Sequence, residues 1–428
     1  MEENKKIRRA TYNMWTFIVS KLISSLGSSI YTFGISFYII SATGSATNFA
    51  MNLVCSILPR TLFAPIAGYM ADTFNKKTII VTAQIGSVLA VSGLLTYSLL
   101  EGISLAAIYI TTALLSLVSA FSGVTFTSAI ANLVDPDRIQ KAVSFNQTSL
   151  SLATIGGPAI GGVLYGLVSL PIFISIFIIA FVIATLLEAT MDFKLYTKKK
   201  ENSKKEKMLQ SIKDGVHYLK QNELISRIVI VSLIINFFFG AFQIGFSFVL
   251  IDILKMESTH FGFIEASFSV GMLLASIYIG MRSTFKSPLL LAKWGIVWMS
   301  IGMGAISIPL FMHFDYWGNF IFYILLLFVF GAVEILVNVP IGVLMQTTID
   351  EEYRGRVYSI METMAMGLMP LAMIIFGILF DLIEAQYILL VSASILIIII
   401  FLLMPAKLIR KFSSSETTIE KNSVAVED

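Results

Sequence analysis

Twelve apolar stretches, each long enough to cross a bilayer, decide what this chain can fold into. A hydrocarbon core about 30 Å thick needs about 20 apolar residues per helix. By that measure the spans are 15–40, 47–71, 78–100, 104–133, 142–166, 170–191, 225–251, 260–281, 289–311, 319–345, 357–380 and 386–404. Only 13% of the 428 residues are charged, about half the usual share in soluble domains, so a water-soluble globule of this size could not cover its surface. The stretch that follows the basic run Lys5 to Arg9 is too long for a signal peptide and reads as the first span. The single Cys55 excludes a disulfide framework and a cysteine-rich metal site.

Lysine and arginine orient the bundle. The connections on the terminal side, with both tails, carry 25 of them; the opposite side carries one, Lys255. The positive-inside rule therefore predicts cytoplasmic termini in a multi-pass protein of the cell membrane. Residues 192–224 contribute nine of these cations and separate an N-terminal bundle (1–191) from a C-terminal bundle with its tail (225–428). The basic cluster Lys198 to Lys205 reads as a solvated linker, and an amphipathic pattern over Met208–Leu219 predicts a short helix on the membrane surface.

The two halves repeat each other. A shift of 215 positions aligns Asp135, Ser144, Thr148 and Gly162 with Asp350, Ser359, Thr363 and Gly377, and a shift of 211 aligns Gly34 to Phe37 with Gly245 to Phe248. The expected fold is an all-α membrane protein, with twelve transmembrane helices in two pseudo-symmetric six-helix bundles. A parallel six-plus-six repeat is the layout of a transporter that binds its cargo between halves.

The connection between spans 2 and 3 runs from Gly68 to Lys77. It resembles the G-x-x-x-D-R-x-G-R-K loop of the major facilitator superfamily at Gly68, Asp72, Lys76 and Lys77. Thr73 and Asn75 depart from the usual cation and glycine; asparagine tolerates the left-handed conformation a glycine would adopt. The resemblance implies a gating loop in which Asp72 sits near the start of helix 11 when the cytoplasmic side is closed. A carboxylate at a helix N-terminus is worth about 0.3–1 kcal/mol. In span 5, Gly157, Pro158, Gly161 and Gly162 match G-P-x-x-G-G, which in the superfamily accompanies exporters that exchange cargo for protons. The pattern along Ser24 to Ser28, Leu58-Pro59, Ala131 to Asn146 and Tyr353 to Val357 is similar to the macrolide-efflux, drug–proton antiporter branch. Gln84 stands in span 3 where that branch leads us to expect an aspartate.

An ionisable group at the bilayer centre costs about 2.5–3.5 kcal/mol on insertion scales, so each needs a partner or a wet cavity. Glu334, Glu362 and Glu265 are the candidate proton carriers, with Arg60 and Lys21 as fixed counter-charges. Tyr31, Phe242, Phe246, Asn338, Met366 and Met369 are the candidates for a substrate cavity; methionine and aromatic side chains repack around varied apolar ligands. No P-loop, HExxH or G-x-S-x-G pattern occurs, so neither ATP hydrolysis, a metal, a cofactor nor an enzyme activity is expected. The expected partners are a small amphiphilic substrate, protons and the lipid bilayer; no nucleic acid is expected, and the chain should act as a monomer. The resemblance implies proton-coupled export of drug-like or macrolide-like compounds. A siderophore or a lipid is the alternative cargo, and a receptor or enzyme that transports nothing is the alternative class.

Overall fold

The computed structural model describes residues 2–196, 217–281 and 287–405, with a few side chains left aside. The long helices are α1 (Glu2–Thr43), α2 (Ala46–Thr73), α3 (Lys76–Leu100), α4 (Leu105–Leu133), α5 (Ile139–Leu167) and α6 (Leu170–Thr190). They continue as α7 (Glu223–Phe248), α8 (Ser258–Gly280), α9 (Pro288–Ala305), α10 (Tyr316–Thr348), α11 (Glu351–Leu382) and α12 (Ala385–Leu403). No strand occurs among the described residues. Eleven of these helices satisfy length and apolarity for crossing a bilayer; within α11 the described apolar stretch is Gly367–Leu382. The fold is that of an all-α, multi-pass membrane protein. Helix α10, with 33 residues, is about 50 Å long and outruns the hydrocarbon core.

Local chemistry sets the helix ends. Gly44, at φ +58°, turns the chain out of α1, and the Ser45 side chain then accepts from the Asn48 amide to cap α2. Such a cap is worth about 1 kcal/mol. Asn75 does not take up the left-handed backbone that the loop pattern suggested. Its φ is −67°, and its side chain accepts from the Lys77 amide as the cap of α3, a task that glycine cannot perform.

The chain divides into two compact units. The first comprises Met1–Ser203 with Leu250–Ala266; the second comprises Lys204–Val249 with Ser267–Asp428. In the first unit α1 packs on α5 and α6, while α4 packs on α2 and α3. Buried Asn13 ties three segments: its amide nitrogen donates to the carbonyls of Leu133 and Asp192, and its oxygen accepts from the Asp192 amide. Around it Met14, Phe17, Ile80, Phe126 and Phe193 form an apolar cluster. In the second unit α7 packs on α11 and α12, and α9 on α10 and α12. The Lys293 ammonium, buried in the bundle, donates to the Met404 carbonyl at 2.7 Å, neutralising the C-terminal end of α12. The surface-helix pattern at Met208–Leu219 and the basic cluster fall almost wholly outside the described residues.

Candidate functional site

Helices that are apolar all round carry no internal signal for which face turns inward, so polar side chains must be located in the fold. In the first unit they converge. A cavity of about 430 Å3 opens among α1 to α6, lined by Lys21, Arg60, Tyr31, Gln84, Asn52 and a dozen serine and threonine hydroxyls. Among the described residues, no aspartate or glutamate lines it. Apolar walls are supplied by Ile35, Leu53, Ile57, Phe126 and Phe181. The cavity is thus amphipathic: two cations and many hydroxyls share its lining with aliphatic and aromatic side chains.

Behind this wall lies an acid absent from the sequence-based candidates. Glu188 of α6 is completely buried, and its Oε1 accepts from Gln84 Nε2 at 3.1 Å. Its Oε2 has no hydrogen-bond partner. The Lys21 ammonium is electrostatically coupled to this carboxyl and lies 5.6 Å from the centre of the Phe126 ring. The position explains Gln84: α3 contributes a neutral donor, and the acid comes from α6 instead. Glu188 lies close to the end of a very apolar span, where it reads as a boundary residue. Its signal in the sequence is that of a single charge in a helix otherwise without one.

The other candidates fall as follows. Lys21, Arg60 and Tyr31 share the cavity, and the buried Tyr31 hydroxyl has no hydrogen-bond partner. Glu265, in the first unit, is half-buried and makes no ion pair or hydrogen bond with a described residue. In the second unit Glu334 accepts from Asn338 at 3.4 Å through Oε1, while its Oε2 is buried without a partner. Asn338 lines a narrow cleft with Arg227, Ser232 and Val337. Phe242 and Phe246 are buried in an aromatic ladder, with ring centres 5.8 Å apart and Phe330 stacked on Phe242 at 4.3 Å. Met369 is half-buried on α11. The side chains of Asp72, Glu362 and Met366 lie outside the described residues.

The loop and the glycine motif have clear packing roles. Lys76 Nζ donates to the Ser128 carbonyl at 2.6 Å and to Asn132 Oδ1 at 3.2 Å, placing a cation at the end of α4. Gly68 has open space where a side chain would stand, whereas the exposed neighbour Thr73 bonds back to the Tyr69 carbonyl. On α5, a Cβ at Gly157 would meet Ser29 Oγ at 2.0 Å and one at Gly161 would meet Phe33 at 3.0 Å, so both glycines admit α1. A Cβ at Gly162 would meet the Ser258 carbonyl oxygen at 2.3 Å, and one at Gly262 would meet that of Pro158 at 2.4 Å. The Ser258 hydroxyl donates to the Gly162 carbonyl at 3.1 Å. Backbone-to-backbone contact this close is possible only without side chains.

Known proteins match both the sequence and the fold. Macrolide efflux protein A of Streptococcus pyogenes is 24% identical over 399 residues, covering 93% of this chain and 96% of that protein. The uncharacterized MFS-type transporter YfiS of Bacillus subtilis (strain 168) is 28% identical over 415 residues, covering 92% and 93%. Among solved structures, a bacterial homologue of the iron transporter ferroportin superposes with a TM-score of 0.70 at 15% identity, covering 92% of this chain and 98% of that one. That likeness speaks for the fold. The model of the Major Facilitator Superfamily matches residues 17–372. With its apolar helices, its glycine-mediated packing and a charged cavity within the bundle, the chain is a membrane transporter, not an enzyme, and belongs to the Major Facilitator Superfamily.

Proposed function

We propose that this protein exports hydrophobic or amphiphilic compounds across the cell membrane by proton antiport and alternating access between its two halves. The observation that carries the reading is the amphipathic cavity inside the first unit, with the Glu188 carboxyl directly behind its polar wall. A cavity with aliphatic and aromatic sides suits a cargo with a substantial apolar body. A buried acid within a spanning bundle marks a proton path by default. Similarity to a macrolide efflux protein supports the export direction. Glu188 joins Glu334, Glu362 and Glu265 as a candidate proton carrier. Both termini face the cytoplasm, following the lysine and arginine asymmetry, and the chain works as a monomer.

Reconstitution tests this. Purified protein in sealed proteoliposomes should catalyse counterflow of an amphiphilic dye without a gradient and accumulate it when a pH gradient is imposed. Absence of both activities, across dyes of different charge, refutes the transport reading. Counterflow without gradient-driven accumulation refutes proton coupling alone. Glutamine at Glu334, Glu362 or Glu265 should leave counterflow intact, and uphill transport should fall where the residue carries the proton.

A further inference from the structure

Among the described residues, the cavity of the first unit is lined by two positive side chains and no acid. Lys21 and Arg60 both reach it, yet neither side chain forms an ion pair or a hydrogen bond with a described residue. Glu188, fully buried behind Gln84, can offset at most one of the two charges. Among the described residues a full positive charge is therefore left uncompensated at a cavity of a membrane-spanning bundle, where unpaired ions are expensive and serve a pathway or a ligand.

The hydroxyls reinforce the same polarity. Ser24, Ser56 and Thr154 donate to the carbonyls of Lys21, Leu53 and Leu150, so their protons are engaged. Ser25, Ser28 and Ser29, one helical turn of α1, have no hydrogen-bond partner among the described residues and can donate into the cavity. An array of two cations and free hydroxyl donors, with no acid among the described lining residues, matches an oxyanion and repels a cation.

We propose that the cavity binds the anionic head group of an amphiphile, with Lys21 and Arg60 as the charge partners and Ser25, Ser28 and Ser29 as hydrogen-bond donors. The apolar tail lies against Ile35, Leu53, Ile57, Phe126 and Phe181. This deepens the export reading, on which it rests for the direction of transport, by assigning the class of cargo: anionic amphiphiles over neutral or cationic ones.

The test uses the full chain in lipid nanodiscs and three matched probes: a dansyl-labelled undecanoate, its methyl ester, and the corresponding alkylamine. Binding is read by dansyl fluorescence after subtraction of empty nanodiscs. The carboxylate should bind at least about tenfold tighter than the ester, the range expected for one charge-assisted hydrogen bond, and the alkylamine should bind more weakly still. Lys21→Met and Arg60→Gln should each remove that preference, and thermal unfolding in detergent close to that of the wild type reports that the variants are folded. Lys21→Arg and Arg60→Lys should retain it. Equal affinity of the wild type for carboxylate and ester overturns the proposal, as does an unchanged preference in both neutral variants. Transport is read separately in proteoliposomes. A carboxylate that binds by these criteria but is never moved refutes export while the anion site stands. Gradient-driven export of the alkylamine in preference to the carboxylate refutes the anion site while export stands.

Discussion

Replacing Glu188 by glutamine should separate binding from energisation. The carboxyl makes one hydrogen bond, from Gln84 Nε2 at 3.1 Å, and its other oxygen has no partner. The introduced amide oxygen can keep that bond with little change of shape, so the fold should survive. What disappears is a buried carboxyl that can gain and lose a proton next to the cavity. If one proton moves per cycle, a pH gradient of two units supplies about 2.7 kcal/mol, or about a hundredfold accumulation of cargo. In proteoliposomes the wild type should approach that ratio, and Glu188→Gln should fall to near unity while counterflow continues. Lys21 also loses its nearby negative charge, so binding of an anionic probe should tighten in the variant. Gradient-driven accumulation in Glu188→Gln equal to that of the wild type would refute the reasoning.

Three further outcomes follow from the geometry. Gly162→Ala places a methyl against the Ser258 carbonyl, 2.3 Å away, and must separate two backbones; it should destabilise the first unit by about 1–3 kcal/mol. Gly123→Ala, with open space at the same position, should be neutral or mildly stabilising, and thermal unfolding in detergent compares the two. Lys76→Met removes the cation from the end of α4 and its bonds to Ser128 and Asn132, and should cost about 1–2 kcal/mol of thermal stability, an effect that high salt weakens in the wild type. Tyr218→Phe removes both bonds between the Tyr218 hydroxyl and Asp350 but keeps the ring stacked on Tyr353. Burial pushes that hydroxyl up from its ordinary range, so it remains a donor at physiological pH. Hydrogen exchange of the Asp350 amide should therefore quicken by about five- to tenfold, and an unchanged rate would show that the bond is not kept in solution.

Much of this protein is set by local chemistry. Each span is legible because the bilayer requires about 20 consecutive apolar residues, and that requirement acts along the chain without reference to any other segment. The helix count, the cap at Ser45, and the glycine-rich face of α5 all belong to this class. Asn75 marks its edge: the loop pattern suggested a backbone conformation, whereas the side chain was needed as a cap. The cavity is of another kind. Glu188 and Gln84 are separated by 104 positions, and Gly162 meets Ser258 across 96. Which side chains converge depends on how each helix is rotated about its own axis. A helix apolar on every face carries almost no phase signal in its sequence. Rotation is decided by tertiary packing: small residues admitting a neighbouring backbone, as at Gly157 and Gly162, and polar atoms that find partners only in the bundle. The sequence determined that the chain spans a membrane and where it does so; packing decided that Lys21, Arg60 and Glu188 lie around one cavity.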